Sequence, residues 1–152
     1  MKTFCVLSDT HGNVADLQKL EGVMRESDYV IHLGDNIADT RFFPTEITKK
    51  LYAVKGNCDG GGEDQIIEVE GKRILLTHGD RYNVKSGTDA LYYRAQGLNA
   101  DAVFYGHTHK ADIEERAGVI MINPGTLKGY VEKSYCYVVL VGGKFIAKIV
   151  YL

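Results

Sequence analysis

Apolar residues fall along this chain in short runs, most of them bounded by glycine or by polar clusters. Thr3–Leu7, Tyr29–Leu33 and Leu51–Lys55 read as buried strands, the first of them central. Between the first two, Val14, Leu17, Leu20, Val23 and Met24 recur at helical spacing, so one helix is predicted over Val14–Glu26 with Asn13 as its N-cap. Pro44 can open a helix but cannot sit inside one, and short helical turns are expected on either side of it, at Thr40–Phe43 and Thr45–Lys49. Gln65–Val69 and Lys72–Thr77 flank Glu70-Gly71, the pattern of a tight hairpin. A helix is expected over Ser86–Gln96, with Ala90, Leu91 and Ala95 on one face and Gly97 as its stop. After a strand at Ala102–Tyr105 come Ile113–Arg116 and Val119–Asn123, joined at Ala117-Gly118. Tyr135–Val141 and Phe145–Leu152 then form a last hairpin through Gly142-Gly143. Early βα alternation followed by late hairpins predicts an α/β fold of two sheets with helices outside.

Five of the apolar runs end in ligand chemistry. They lead into Asp9-Thr10-His11, Gly34-Asp35, Gly56-Asn57, His78-Gly79 and Gly106-His107-Thr108-His109. Histidines at i and i+2 share one side of an extended segment but do not align on a helix. Carboxyl ends of strands are where ligands gather in open α/β folds, so five such ends point to one shared site. The inventory is Asp9, His11, Asp35, Asn57, His78, His107 and His109. Seven N and O donors are too many for one structural zinc, which takes four and usually includes thiolates, and the set suits two divalent cations. Two such ions roughly 3.5–4 Å apart repel by about 20 kcal/mol even at a dielectric of ~20, so they need a shared anion. Asp35 stands alone at its strand end, without a histidine two residues on, and is the candidate bridge. A water shared by both ions would be acidified and serve as nucleophile.

The ordered set Asp9-x-His11, Gly34-Asp35, Gly56-Asn57-Cys58-Asp59, Thr77-His78-Gly79 and Gly106-His107-Thr108-His109 resembles the calcineurin-like metallophosphoesterases, in particular their small single-domain bacterial and archaeal phosphodiesterases. Asn123-Pro124-Gly125-Thr126 resembles the next loop of that branch, so the likeness covers most of the chain. The resemblance implies a four-layer αββα sandwich of two mixed sheets flanked by helices. It implies that Asp9, His11 and His109 hold one ion, that His78, His107 and Asn57 hold the second, and that Asp35 bridges. It also implies hydrolysis of phosphoesters, diesters ahead of monoesters, with a bridging hydroxide as nucleophile and Asn57 orienting the phosphoryl group. Small phosphoesters or nucleotides are the expected substrates. Manganese is the favoured metal, with iron, zinc or nickel as alternatives that ligand softness does not separate.

Larger members of the family often carry histidine where this chain has Cys58, and there it can protonate the leaving oxygen. A thiol with a pKa near ~8.5 is a poor substitute. Asp59 is expected to steady ligand histidines by hydrogen bonding. His32 matches no ligand position and is read as structural. Asp80, Tyr82 and Asn83 are candidates to line the cleft, and Arg41, Lys55 and Lys128 are cations to inspect for phosphate contact. The alternatives to a general phosphodiesterase are a non-catalytic interaction scaffold of the same fold, as in the retromer complex's metallophosphoesterase-like subunit, and a hydrolase specific for dinucleotide polyphosphates or cyclic nucleotides.

Composition adds bounds. A chain of 152 residues, 45% hydrophobic, predicts one domain over 1–152 with a sizeable core. A net charge of −2 gives no footprint for an extended nucleic-acid surface. The three cysteines form no CxxC, which argues against a disulfide framework and fits a reducing compartment. The opening residues are too short for a signal peptide's apolar region, and no run spans a bilayer, so a cytoplasmic location is expected. Tyrosines of the last hairpin leave a homo-oligomer open.

Overall fold

Alternation along the strands builds three apolar layers. A computed structural model describes residues 1–129 and 132–152. Along β1 (Lys2–Leu7), Phe4 and Val6 point to one side and Cys5 and Leu7 to the other, and all four are fully buried. The same division runs through β2 (Tyr29–His32), β5 (Lys72–Leu76), β6 (Ala102–Phe104), β8 (Val119–Asn123) and β9 (Ser134–Val141). A strand buried on both faces must be covered on both, and that requirement gives the layers.

One sheet has the order β10-β9-β1-β2-β3, with β3 at Leu51–Ala53 and β10 at Lys144–Tyr151. The other is β4-β5-β6-β8-β7, with β4 at Gln65–Val69 and β7 at Asp112–Arg116. The largest cluster lies between the sheets, where Phe4, Ile31, Ile74, Phe104, Ile122 and Val138 meet and the Phe4 and Phe104 rings pack edge to face at 5.8 Å. Against the outer face of the first sheet lie α1 (Val14–Lys19), α2 (Glu21–Glu26) and α3 (Thr45–Thr48), which bury Leu17, Leu20, Met24 and Ile47. Against the outer face of the second lies α4 (Asp89–Gly97). Both sheets are mixed. The β1–β2, β2–β3, β5–β6 and β6–β8 pairs are parallel, so six strands end at the same rim of the sandwich.

The expected four-layer αββα fold is therefore present, with three local differences. The single helix predicted over Val14–Glu26 is two, broken at Leu20, whose amide bonds back to Leu17 at 3.0 Å in a tighter turn. Asn13 caps the first as expected, its side chain accepting from the Asp16 amide. Gly97 lies inside α4 rather than stopping it, and the left-handed residue that turns the chain is Asn99 at φ 55°. Tyr92, not Ala90, completes the buried face of that helix with Leu91 and Ala95. Among the described residues no helix is long and apolar enough to cross a membrane.

Asp16 offers a pH test of the helix layer. Hydrogen bonding to Lys133 first, then to Asn13 and Lys19, depresses its pKa to about 2 against desolvation. The folded chain thus stays deprotonated at Asp16 where the unfolded chain takes up a proton, so the contribution is complete above about pH 4 and is lost as pH falls toward 2. Urea titrations between pH 5 and 2 should show stability falling across that window, and Asp16→Asn should flatten the fall. A variant as acid-sensitive as the parent would place the effect elsewhere.

Candidate metal centre

Loops leaving β1, β2, β5 and β6 at the common rim bring six of the predicted donors together. Asp9, His11, Asp35 and His109 form one group and Asp35, His78 and His107 a second, each with donor atoms within 4.8 Å of one another. Asp35 belongs to both. The backbone of these loops is unusual: Asp9, His11, Asp35, His107 and His109 all have positive φ, between 45° and 73°. Left-handed backbone is uncommon for non-glycine residues, although Asp, Asn and His tolerate it best. It costs on the order of 1–3 kcal/mol per residue and persists where surrounding structure enforces it.

That enforcement is visible residue by residue. Asp9 is fully buried; its Oδ2 accepts from the Ser8 hydroxyl at 2.6 Å and from the His107 amide at 3.1 Å. Its Oδ1 is left bare, 3.3 Å from His109 Nε2 and 3.8 Å from His11 Nε2. Burial works against the charge of Asp9, but the adjacent His109 ring and the Ser8 hydroxyl outweigh it and hold the carboxyl below the usual range. The Asp35 Oδ1 accepts from the Cys58 amide at 2.9 Å, while Oδ2 lies 3.5 Å from His11 Nε2 and 3.4 Å from His78 Nε2. His78 is buried, and its Nδ1 donates to the Leu33 carbonyl at 2.7 Å. A carbonyl can only accept, so in the neutral ring Nε2 carries a lone pair. That lone pair faces Asp35 Oδ2 and, at 3.1 Å, His107 Nδ1. Burial, then His78 and Lys85, lowers the proton affinity of His107.

These facts test whether the donor set fits divalent cations. Asp9 Oδ1 and His11 Nε2 are buried without any hydrogen-bond partner, and the Nε2 lone pair of His78 aims at carboxylate oxygen. Buried polar atoms without partners, and a lone pair facing carboxylate oxygen, are costly unless positive charge lies between them. Imidazole nitrogens fixed from behind and carboxylates with one oxygen free are the donors that such cations take. The residues fit.

Asn57 begins a short 3-10 turn through Asp59, exposed at the same rim and one residue before the amide that holds Asp35. Cys58 is exposed on that turn, and desolvation with the Asp35 and Asp59 charges pushes its thiol up, making it a weaker acid than an ordinary cysteine. Asp59 departs from expectation. Its carboxylate accepts the backbone amides of Asp35, Asn36, Ile37 and Gly56, and no histidine ring. Gly56 must be glycine, because a Cβ there would overlap the Asp35 carboxylate.

His32 is structural, as read. Fully buried, it accepts the Gly34 amide at Nδ1, so its proton lies on Nε2 toward Thr10, whose hydroxyl donates to Asp39 at 2.6 Å. Burial lowers its pKa to about 4 and keeps it neutral. Ser8, Thr10 and Asp39, which hold this site from behind, carry no spacing signal in the sequence. The Asn123–Thr126 loop did carry one. Asn123 donates to Thr108 at 2.8 Å and to the Gly106 carbonyl, and the Thr126 hydroxyl donates to the Asp9 carbonyl, so this loop braces both histidine-bearing turns. Of the cleft candidates, Tyr82 donates to Asp64, and Tyr82 and Asn83 line a separate shallow cavity. Arg41 stacks on Phe42, Lys55 borders a cavity by Gly62, and Lys128 is exposed.

Comparison with known proteins gives one consistent picture. The family model "Calcineurin-like phosphoesterase superfamily domain" matches residues 1–142. A probable metallophosphoesterase of Bacillus subtilis, YsnB, is 39% identical over 127 residues, covering 81% of this chain and 73% of its own length. The phosphodiesterase MJ0936 of Methanocaldococcus jannaschii is 30% identical over 150 residues, covering 82% of this chain and 84% of its own length. The crystal structure of a predicted phosphoesterase from Streptococcus pneumoniae superimposes with a TM-score of 0.81 at 25% identity, over 99% of this chain and 89% of that one.

Proposed function

This chain belongs to the calcineurin-like phosphoesterase superfamily, and on that premise we propose that it hydrolyses phosphodiesters with two divalent cations, manganese foremost, held by Asp9, His11, Asp35, Asn57, His78, His107 and His109. The whole of 1–152 acts as one domain in this reading. The observation that carries it is the sharing of Asp35 by two donor groups, one built on Asp9, His11 and His109 and the other on His78 and His107. Bound there, the cations would supply the charge that acidifies water for attack on phosphorus and that offsets charge growing on the phosphoryl oxygens.

The side chains have their own parts. Asp35 places one negative charge between the two groups and, through Oδ1, ties the Asn57–Asp59 turn to them. Asn57, exposed at the mouth, is the amide free to donate to a phosphoryl oxygen and orient it. His78, locked by the Leu33 carbonyl, and Asp9, locked by Ser8 and the His107 amide, keep their free donor atoms aimed inward before any substrate arrives. Such preorganisation is where most of the catalytic gain in phosphoryl transfer resides. The phosphodiesterase name of a 30% identical relative supports diesters ahead of monoesters. A scaffold role is disfavoured, because buried polar atoms left without partners have no use in a surface that only docks.

The test is hydrolysis of bis(p-nitrophenyl) phosphate and p-nitrophenyl phosphate after chelation and re-addition of single metals. Manganese should restore the most activity, with two ions per chain by elemental analysis and the diester the better substrate. Hydrolysis of neither compound with any metal overturns the activity. A better monoester overturns the diester preference, and one ion at full activity overturns the pair.

A further inference from the structure

Beside the metal-site loop lies a cavity of roughly 530 Å3, within the ~300–1,000 Å3 range of small-molecule sites. Its lining includes Lys85, Thr88, Tyr105, Thr108, Lys110 and Asp112. Thr108 is the residue between His107 and His109, so this cavity and the donor groups share one loop. Lys110 follows His109 directly and borders with it a second cavity of roughly 360 Å3. Lys85, on the segment before α4, lines the same cavity within electrostatic reach of His107.

Several cations of this chain are tied down by partners, whereas Lys85 and Lys110 both face one cavity without such a partner. Lys19 and Lys133 pair with Asp16, Arg25 with Glu21 and Glu46, Arg73 with Glu68, and Arg116 with Asp89 and Glu114. Lys50 caps the Arg25 and Ser27 carbonyls. Among the described residues neither Lys85 nor Lys110 has a carboxylate partner within ion-pair distance, although Asp112 lines the same cavity. Asp112 and Glu114 instead bear on Tyr105, which desolvation first and then their charges hold protonated as a donor. Two unpaired ammonium groups thus border a recess next to the reacting centre, the chemistry that takes a phosphate, while the Thr88 hydroxyl donates to Glu114 and the Thr108 hydroxyl is held by Asn123 and its own loop.

We propose that Lys85 and Lys110 form a subsite for a second phosphate, so that the preferred substrate is a phosphodiester carrying a further phosphate group away from the scissile one. This rests on the phosphodiesterase reading and names the substrate class of that same site. The intervening part of the substrate would bridge the two, with the scissile phosphorus at the donor groups and the distal phosphate in the recess.

Two arms test it separately. The first measures calorimetrically the binding of inorganic tripolyphosphate to the chelated, metal-free protein. The parent should bind in a salt-sensitive manner, and Lys85→Met with Lys110→Met should weaken binding about tenfold or more. Absent or equal binding overturns the subsite whatever the activity. The second arm compares kcat/KM for the p-nitrophenyl ester of thymidine 5′-phosphate with that of the same compound bearing a 3′-phosphate. The 3′-phosphate should raise it about tenfold in the parent, and the double variant should erase that ratio. Equal rates on both compounds, or a ratio that survives in the variant, overturns the subsite and leaves the phosphodiesterase standing. Hydrolysis of neither compound with metal present is the failure of the parent reading, and the binding arm then decides the subsite alone.

Discussion

Asp35→Asn is expected to cut turnover by at least about a thousandfold while leaving the metal-free chain no less stable than the parent. In the proposed two-ion site, divalent ions roughly 3.5–4 Å apart would repel by about 20 kcal/mol at an effective dielectric of ~20, and the Asp35 carboxylate would be the buried charge that offsets this. A thousandfold loss is about 4 kcal/mol, a modest part of that term. Asparagine keeps the shape and the Oδ1 that accepts the Cys58 amide. In place of Oδ2 it offers an N–H toward His78 Nε2, now 3.4 Å from an oxygen that only repels its lone pair. The substitution therefore relieves the empty site and cripples the loaded one. Melting of the chelated proteins, elemental analysis and turnover on an aryl diester separate these effects. A variant that retains a tenth of the parent's turnover with two ions bound contradicts the bridging role of Asp35.

Much of this metal-dependent phosphoesterase was legible in its sequence because two kinds of signal coincide. Period-two alternation is broken into continuous apolar runs wherever a strand is covered on both faces, so runs such as Cys5–Leu7 and Ile74–Leu76 announce a layered sandwich. Chemistry then follows at the carboxyl ends of those runs, where Asp9, Asp35, His78 and His107 stand. What stayed hidden lies in the backbone of the loops. Periodicity reports which face a side chain takes and says nothing about where amides point. The sequence suggests histidine partners for Asp59, yet the left-handed Asp35 and Asn36 turn their amides toward it. For the same reason Asn99 rather than Gly97 turns the chain after α4, since either residue suits that conformation and only the packed helix decides. Lys85 and Lys110 were unreadable as a pair because 25 residues and two elements separate them.

Asp59→Ala should destabilise the chain by about 3 kcal/mol, a figure set by what the carboxylate holds. Four amides donate to it: Asp35 and Asn36 at 2.8 Å, Gly56 at 3.0 Å and Ile37 at 3.1 Å. Each hydrogen bond to a charged group contributes about 1.5–3 kcal/mol, and water reaching a half-buried site recovers part of every one, so the sum is far below four full bonds. The carboxylate also confines two successive left-handed residues, whose strain of on the order of 1–3 kcal/mol each would otherwise relax the loop. A loss of that size lowers the melting temperature by roughly 6–12 °C in a chain of this length. The released loop carries Asp35, so metal affinity should fall as well, but the donor atoms themselves remain. Excess manganese should therefore recover much of the activity of Asp59→Ala and little of that of Asp35→Asn. Asp59→Asn, with one oxygen where four amides converge, should fall between parent and alanine in stability. If Asp59→Ala melts with the parent, or if added metal rescues both sites equally, the carboxylate is not what sets this loop.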